Sequence, residues 1–323
     1  MKNKISYMLK QTEVKDYLAP FIGTIIVFIV GQIIAPGFSS RTGIINMLAT
    51  SSVLILACFP QLISMISGKS GIDLSLGALM SLSVAWGGAL SGGTAGGLVL
   101  SMLAMAGVGL ICGLCNGIAV QYWGVPAMVV TLCVGNLLDE FYLVVTKGAP
   151  SGRVAQVLLD FGAARILGGI RVVFLVAIIF AVIVELLLRK TRTGKKIYMI
   201  GTNWKASEMS GIKSKQLGTL VYVLGAVVST LAGFVLLATT GSSQAGVGSS
   251  YTMLAVAAVV IGGVNVAGGK GTYIGAALGA IFISVLTGLL LVVQIPDGCR
   301  DMIKGLILMA ILLAYSRGAK IRQ

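Results

Sequence analysis

The stretch from Ser67 to Ser83, SGKSGIDLSLGALMSLS, sets a lysine, an aspartate and three glycines between two long apolar runs. The chain around it has 323 residues, 57% hydrophobic and 11% charged, with 44 glycines and a mean hydropathy of +0.99. That balance lies outside the range of soluble domains and marks an integral membrane protein. An aspartate at the bilayer centre costs roughly 2.5 to 3.5 kcal/mol on insertion scales, so Asp73 needs a protein, water or interface environment. Ser70-Gly71-Ile72-Asp73 fits a capping box, in which Ser70 accepts from a first-turn amide and Asp73 reaches back to the amide of Ser70. Asp73 also places negative charge at the positive end of a helix dipole. Two readings stay open: a helix start alone, or a helix start that also lines the aqueous route of a transporter, where irregular backbone is tolerated.

Apolar windows of about 20 residues cross a ~30 Å hydrocarbon layer as helices, and the short alternating segments of a β-barrel are not visible. The windows place spans near 17–36, 44–66, 73–91, 95–122, 125–146, 168–188, 216–239, 251–267, 272–293 and 302–316. The expected fold is therefore an all-α polytopic membrane protein of about ten transmembrane helices, one domain over 1–323. The first span lacks a small-residue cleavage site and reads as a retained helix, not a signal peptide. Basic residues gather in the N-terminal segment (Lys2, Lys4, Lys10, Lys15), in 189–215, and at the C-terminus (Arg317, Lys320, Arg322). Ten spans put all three on one side, which the positive-inside rule assigns to the cytoplasm, with both termini inside. The net charge of +14 follows these loops, not one continuous face, and does not indicate nucleic acid. Double glycines at Gly87/Gly88 and Gly92/Gly93 recur at Gly262/Gly263 and Gly268/Gly269, as a five-plus-five inverted repeat would arrange them.

Other chemistry is excluded by what the chain lacks. It has no histidine, and its five cysteines show no metal-type pairing. GGVNVAGGKGT, Gly262 to Thr272, misses the phosphate-loop spacing at Val264 and Gly271. No cofactor is expected, and active transport would draw its energy from an ion gradient or a partner. No ladder of intramembrane carboxylates indicates ion coupling: Glu185 pairs naturally with Arg189 one turn on, Asp139 and Glu140 lie toward the outer end of their span, and Asp297, Arg300, Asp301 and Lys304 cluster in an external turn. Four-residue glycine steps, Gly109/Gly113/Gly117 and Gly271/Gly275/Gly279, read as close helix packing. Asn116, on the same face as the first stripe, is interhelical glue or part of a substrate path.

The longest polar segment, RKTRTGKKIYMIGTNWKASEMSGIKSK (Arg189 to Lys215), carries eight basic residues against Glu208. Within it Asn203 can cap a short helix from Trp204 to about Ser210, and Gly211 can end it. A rigid knob on a loop suits docking into a soluble subunit, or lying on anionic headgroups with Trp204 as anchor.

GTNWKASEMSGI, SGIDLSLGALMSL and YTMLAVAAVVIGGVNVAGGKGTYIGAALGA together resemble the signature regions of permeases in the ribose, monosaccharide and autoinducer-2 branch of ATP-binding-cassette importers. The resemblance covers nearly the whole chain in order and spacing. It implies a cytoplasmic coupling loop at 189–215 that meets the ATPase through Asn203, Ala206, Glu208, Ser210 and Gly211, and a transport pathway for which Asp73 and Asn116 are candidates. It implies as partners cytoplasmic ATPase subunits, an extracytoplasmic solute-binding protein, a second permease subunit, identical or paralogous, and membrane lipid, with no nucleic acid. The setting implied is the bacterial inner membrane, and the cargo a monosaccharide or similar small polar solute; nucleoside or autoinducer-2 transport and an autonomous secondary transporter are the alternatives. The chain departs from the usual pattern at Ser70-Gly71, at Tyr251-Thr252-Met253, where an acid is more common, and at Asn265 and Ala267.

Overall fold

A computed structural model describes residues 2–68, 71–146, 152–166 and 168–296, with scattered positions from 298 to 309; side chains are described from residue 17 onward, except at 145 and 146. Among the described residues seven helices are long and apolar enough to cross a membrane: the Tyr17–Ile34 part of α1 (Lys2–Ile34), α2 (Arg41–Ile66), α4 (Ala95–Gln121), α5 (Ala127–Thr146), α7 (Val172–Lys190), α10 (Ser214–Thr240) and α12 (Tyr273–Val292). Two shorter apolar helices, α3 (Leu76–Ser91) and α11 (Ser249–Ile261), complete an all-α polytopic membrane fold. The expected tenth span, 302–316, lies mostly outside the described residues, as do Asp297, Asp301, Lys304 and the basic C-terminus.

The two short helices correct the expected spans 73–91 and 251–267. At 1.5 Å per residue α3 and α11 are about 24 and 20 Å long, less than the ~30 Å core. The missing length is irregular backbone ahead of each helix, at 67–68 and 71–75 before α3 and at 241–248 before α11. Lipid cannot satisfy such backbone, so it must be covered by protein or water. The span expected from 168 begins instead at Val172, after a β-hairpin of β1 (Arg165–Ile166) and β2 (Ile170–Arg171) that follows the short helix α6 (Gln156–Ala163).

The helices pack in a pattern that repeats. In each half a long helix, a short one and a second long one follow in order: α2, α3, α4 and then α10, α11, α12. Exchanging the sets preserves the packing: α10 lies on α3 and α4, α2 lies on α11 and α12, and α2 meets α10 as α3 meets α11. The closing helix begins alike in both halves, with Thr94 accepting from Gly97 N–H at 3.1 Å and Thr272 from Gly275 N–H at 3.1 Å. The halves run in opposite senses. α2 ends at the face where Ile66 O accepts from Gly269 N–H, whereas α10 ends at the opposite face, where Gly162 abuts Ala238 and Ser91 donates to Arg153 O.

The glycine steps are packing surfaces. A Cβ at Gly113 would lie 2.6 Å from Val223 Cα, and one at Gly117 2.8 Å from Thr219 Cα, so α4 and α10 touch backbone to backbone. Gly275 and Gly279 do the same against Gly262 and Ala258; Gly271 lies in the turn before α12, not on the helix. Tyr273, fully buried, closes the core between α2, α7 and α12, with its hydroxyl on Ile55 O at 2.6 Å and its ring edge-on to Phe59 and Phe180.

Candidate functional site

The chain leaves α2 through Gly68, whose φ of +87° favours glycine, and doubles back along the same helix. Gly71 lies on Ser64 O, and Asp73 N–H donates to Gln61 Oε1 at 3.3 Å. Asp73 is fully buried. Its Oδ1 accepts from Ser75 N–H at 2.9 Å and from Ser75 Oγ at 2.7 Å, and Ser75 Oγ accepts from Asn116 Nδ2 at 3.0 Å. Asp73 is thus not the N-cap of α3, which is Ser75; it fixes that residue from two positions before it through a side-chain turn. The expected helix start at residue 73 moves to Leu76 for that reason, and Ser70, the other half of the expected box, lies outside the described residues. Asp73 and Asn116 are brought together, both at zero exposure, tying α3 to α4. Leu74 N–H donates to Thr131 Oγ1 at 2.9 Å, adding α5 to the same knot.

On the other side of Leu74 an open groove of about 190 Å³ separates α3, α5 and α11; Asn136 and Asp139 line it from α5, and Ser249 and Thr252 from α11. The starts of α3 and α11 converge here: Gly248 N–H donates to Ser81 Oγ at 3.0 Å, Ser81 Oγ lies 3.4 Å from Ser249 Oγ, and Gly77 lies against Thr252. Two half-helices therefore direct their positive ends toward one polar groove at membrane depth. Asn136 and Ser249 are exposed, an arrangement that lipid would penalise and water or protein would not. Sequence reasoning passed over Asn136 and Ser249, set Asp139 aside, and met Thr252 only as a departure from the usual pattern. The available signal was the i, i+3 spacing of Asn136 and Asp139, which puts both on one face of α5.

At the basic end, 189–215 forms two helices, α8 (Arg192–Thr202) and α9 (Trp204–Met209). Thr191 Oγ1 caps α8 by accepting from Gly194 N–H at 3.0 Å, and Ile197 and Ile200 bury its apolar stripe. Asn203 Oδ1 caps α9 by accepting from Ala206 N–H at 3.0 Å, the cap read from the sequence. Gly211, at φ +79°, ends it, donating to Glu208 O at 2.9 Å. Asn203, Ala206, Glu208, Ser210 and Gly211 all lie exposed on this knob, and Met209 at its tip is 90% exposed.

The knob is fastened to the bundle in three places. Gly201 lies against Ile66 O and Gly269 N, Tyr198 Oη donates to Gly271 O at 2.8 Å, and Glu185, at the end of α7, holds the start of α12. Glu185 Oε2 accepts from Tyr273 N–H at 2.6 Å and from Ile274 N–H at 3.4 Å. Its other oxygen pairs with Arg189, as the sequence indicated, and Arg189 donates to Tyr17 Oη at 3.0 Å. The cap on α12 was not legible, because its acceptor lies 88 residues away.

The chain is 32% identical over 311 residues, 95% of each chain, to the ribose import permease protein RbsC of Bacillus subtilis. It is 29% identical over 300 residues, 92% of each chain, to RbsC of Escherichia coli K12, and 27% identical to the autoinducer 2 import system permease protein LsrC of Escherichia coli, over 96% of this chain and 90% of that one. No solved structure matches it. Residues 43–312, from the start of α2 past the end of α12, match the model of one family. With half-helices meeting inside the bundle and a capped knob at its basic end, the chain belongs to the family of permease components of branched-chain amino acid transport systems.

Proposed function

We propose that the chain is the membrane-spanning permease of an importer for a monosaccharide or a similarly small polyhydroxylated solute. The observation that carries this reading is the groove between α3, α5 and α11. A hydroxyl-rich solute leaves water only where its hydrogen bonds are replaced. Asn136 supplies both donor and acceptor, Asp139 acceptors, and Ser249 and Thr252 hydroxyls. Asp73, Ser75 and Asn116 support this wall from behind by fixing where α3 starts. The names of the ribose and autoinducer-2 relatives support the solute class.

In this reading ATP hydrolysis resides in separate cytoplasmic subunits. They grip α9 through Asn203, Ala206, Glu208, Ser210 and Gly211, with 189–215 as the coupling loop. An extracytoplasmic binding protein delivers the solute, and a second permease subunit faces the groove from across the pathway. The basic loop and both termini lie on the cytoplasmic side of a bacterial inner membrane, as their charge favours.

The test is reconstitution of the permease with its ATPase and binding protein, followed by uptake of radiolabelled ribose and leucine. ATP-dependent sugar uptake, reduced at least tenfold by Asn136→Leu in a complex that still assembles, is the expected result. Uptake of leucine alone, or sugar flux without the ATPase, would overturn the reading.

A further inference from the structure

A second cleft lies on the outer surface, between the end of α4 and the start of α10, where the bundle meets the α8–α9 end. It holds about 420 Å³ and is lined by Leu114, Ile118, Tyr122, Gln216 and Thr219. Its two halves differ in chemistry. Toward the bundle centre Leu114 and Ile118 share one stripe of α4 with Ile111, all three partly exposed, which makes an apolar track. Toward the end of the bundle the lining turns polar, and Lys215 Nζ sits 5.6 Å from the centre of the Tyr122 ring. Trp123, 75% exposed, stands beside it, where interfacial aromatics sit at headgroup level.

The charge is one-sided. Lys213 and Lys215 are exposed at the start of α10, and neither α4, the 122–126 turn nor α10 contains an acid; Glu208 on α9 is the one acid in the adjoining loop. The cleft has a firm floor, since Gly117 lies on Thr219 and Gly218 on the Gln121 side chain.

We propose that this cleft seats one anionic glycerophospholipid from the leaflet facing α8 and α9. An acyl chain lies along Ile111, Leu114 and Ile118. The phosphate meets Lys215 and Lys213, with Tyr122, Gln216 and Thr219 toward the glycerol. A soluble anion would leave the apolar half unused, and a packed helix would bury the lysines without partners. The site is separate from the polar groove, so it stands or falls independently of the transported solute.

The experiment is native mass spectrometry of the purified full-length protein with dioleoyl phosphatidylglycerol and dioleoyl phosphatidylcholine at equal concentration. Wild type should retain the anionic lipid preferentially. Each lysine near an anionic headgroup contributes about fivefold in affinity, so Lys215→Ala should reduce the preference by about that factor and Lys213→Ala/Lys215→Ala should abolish it. Ile118→Trp, which fills the apolar track and leaves the lysines in place, should lower retention of both lipids. Equal retention of the two lipids by wild type, a preference unchanged in the double lysine variant, or retention unchanged by Ile118→Trp would each overturn the proposal. A disulfide forming between two copies of Leu114→Cys in nanodiscs would also overturn it, because protein would then cover the cleft.

Discussion

Glu185 offers the most direct test of how the bundle is held together. Replacing it by alanine removes the acceptor for Tyr273 N–H and the weaker one for Ile274 N–H, orphaning the first donors of α12, while Thr272 still accepts from Gly275 N–H. A hydrogen bond to a charged group contributes about 1.5 to 3 kcal/mol, and an orphaned buried donor costs about 1 to 3. The ion pair adds little, because Arg189 is 37% exposed and such pairs contribute about 0 to 1 kcal/mol. Glu185→Ala should therefore cost about 2 to 3 kcal/mol, Glu185→Gln, which keeps an acceptor for Tyr273, about 1, and Arg189→Ala less than about 1. In a thermal melt of the purified protein in detergent, the first should lower Tm by about 4 to 6 °C and the last by no more than about 2. The order is the critical result. If Arg189→Ala proves as damaging as Glu185→Ala, the carboxylate matters as an ion-pair partner and the cap argument fails.

Asp73→Ala should destabilise the start of α3 by about 1 to 2 kcal/mol, while Asp73→Asn, which keeps an acceptor for Ser75, should fold and transport as wild type; a transport defect in well-folded Asp73→Asn would assign the carboxylate a part in the pathway. Gly113→Leu should cost about 1 to 3 kcal/mol or more by forcing α4 off α10, read as lost thermal stability in detergent; a neutral result would refute the backbone contact at Val223. Glu208→Lys and Gly211→Leu should insert normally but co-purify with less ATPase, and wild-type recovery of the ATPase with both would remove α9 as the coupling element. A cysteine at Met209, in a background without native cysteines, should be labelled from the cytoplasm and one at Gln156, exposed on α6, from outside; labelling from one side would refute the topology. Ser207 is unsuited to that assay because it is buried beneath the knob.

What could be read from the sequence was what depends on neighbours along the chain. The spans expected at 44–66, 95–122, 216–239 and 272–293 correspond to α2, α4, α10 and α12 within three residues at either end, because a long apolar window determines a long helix. The Asn203 cap was legible because cap and amide are three residues apart. The half-helices were overextended because hydropathy registers side chains, and the backbone at 262–271 departs from helix through glycines that count as apolar. α8 was missed because its pattern is Gly194, Ile197 and Ile200 in a polar run, too short and too basic to register as a span. The Glu185–Arg189 pair was legible, but the bonds of Glu185 to the start of α12 and the place of Asp139 in the groove opposite α11 were not, because only the packing brings these together.

The contact among Gly68, Gly201, Gly268 and Gly269 is made without side chains. Most packed interfaces can absorb a small push by letting side chains hop between rotamers, so displacement fades over a few contacts. Main chain pressed against main chain has no such slack. A shift of the α8–α9 arm would reach the end of α2, and with it the segment that sets where α3 begins, at nearly full amplitude. If the α8–α9 arm is the coupling element proposed above, stiffness at this one joint matters more than binding strength, and even an added methyl group at Gly201 would wedge the joint apart.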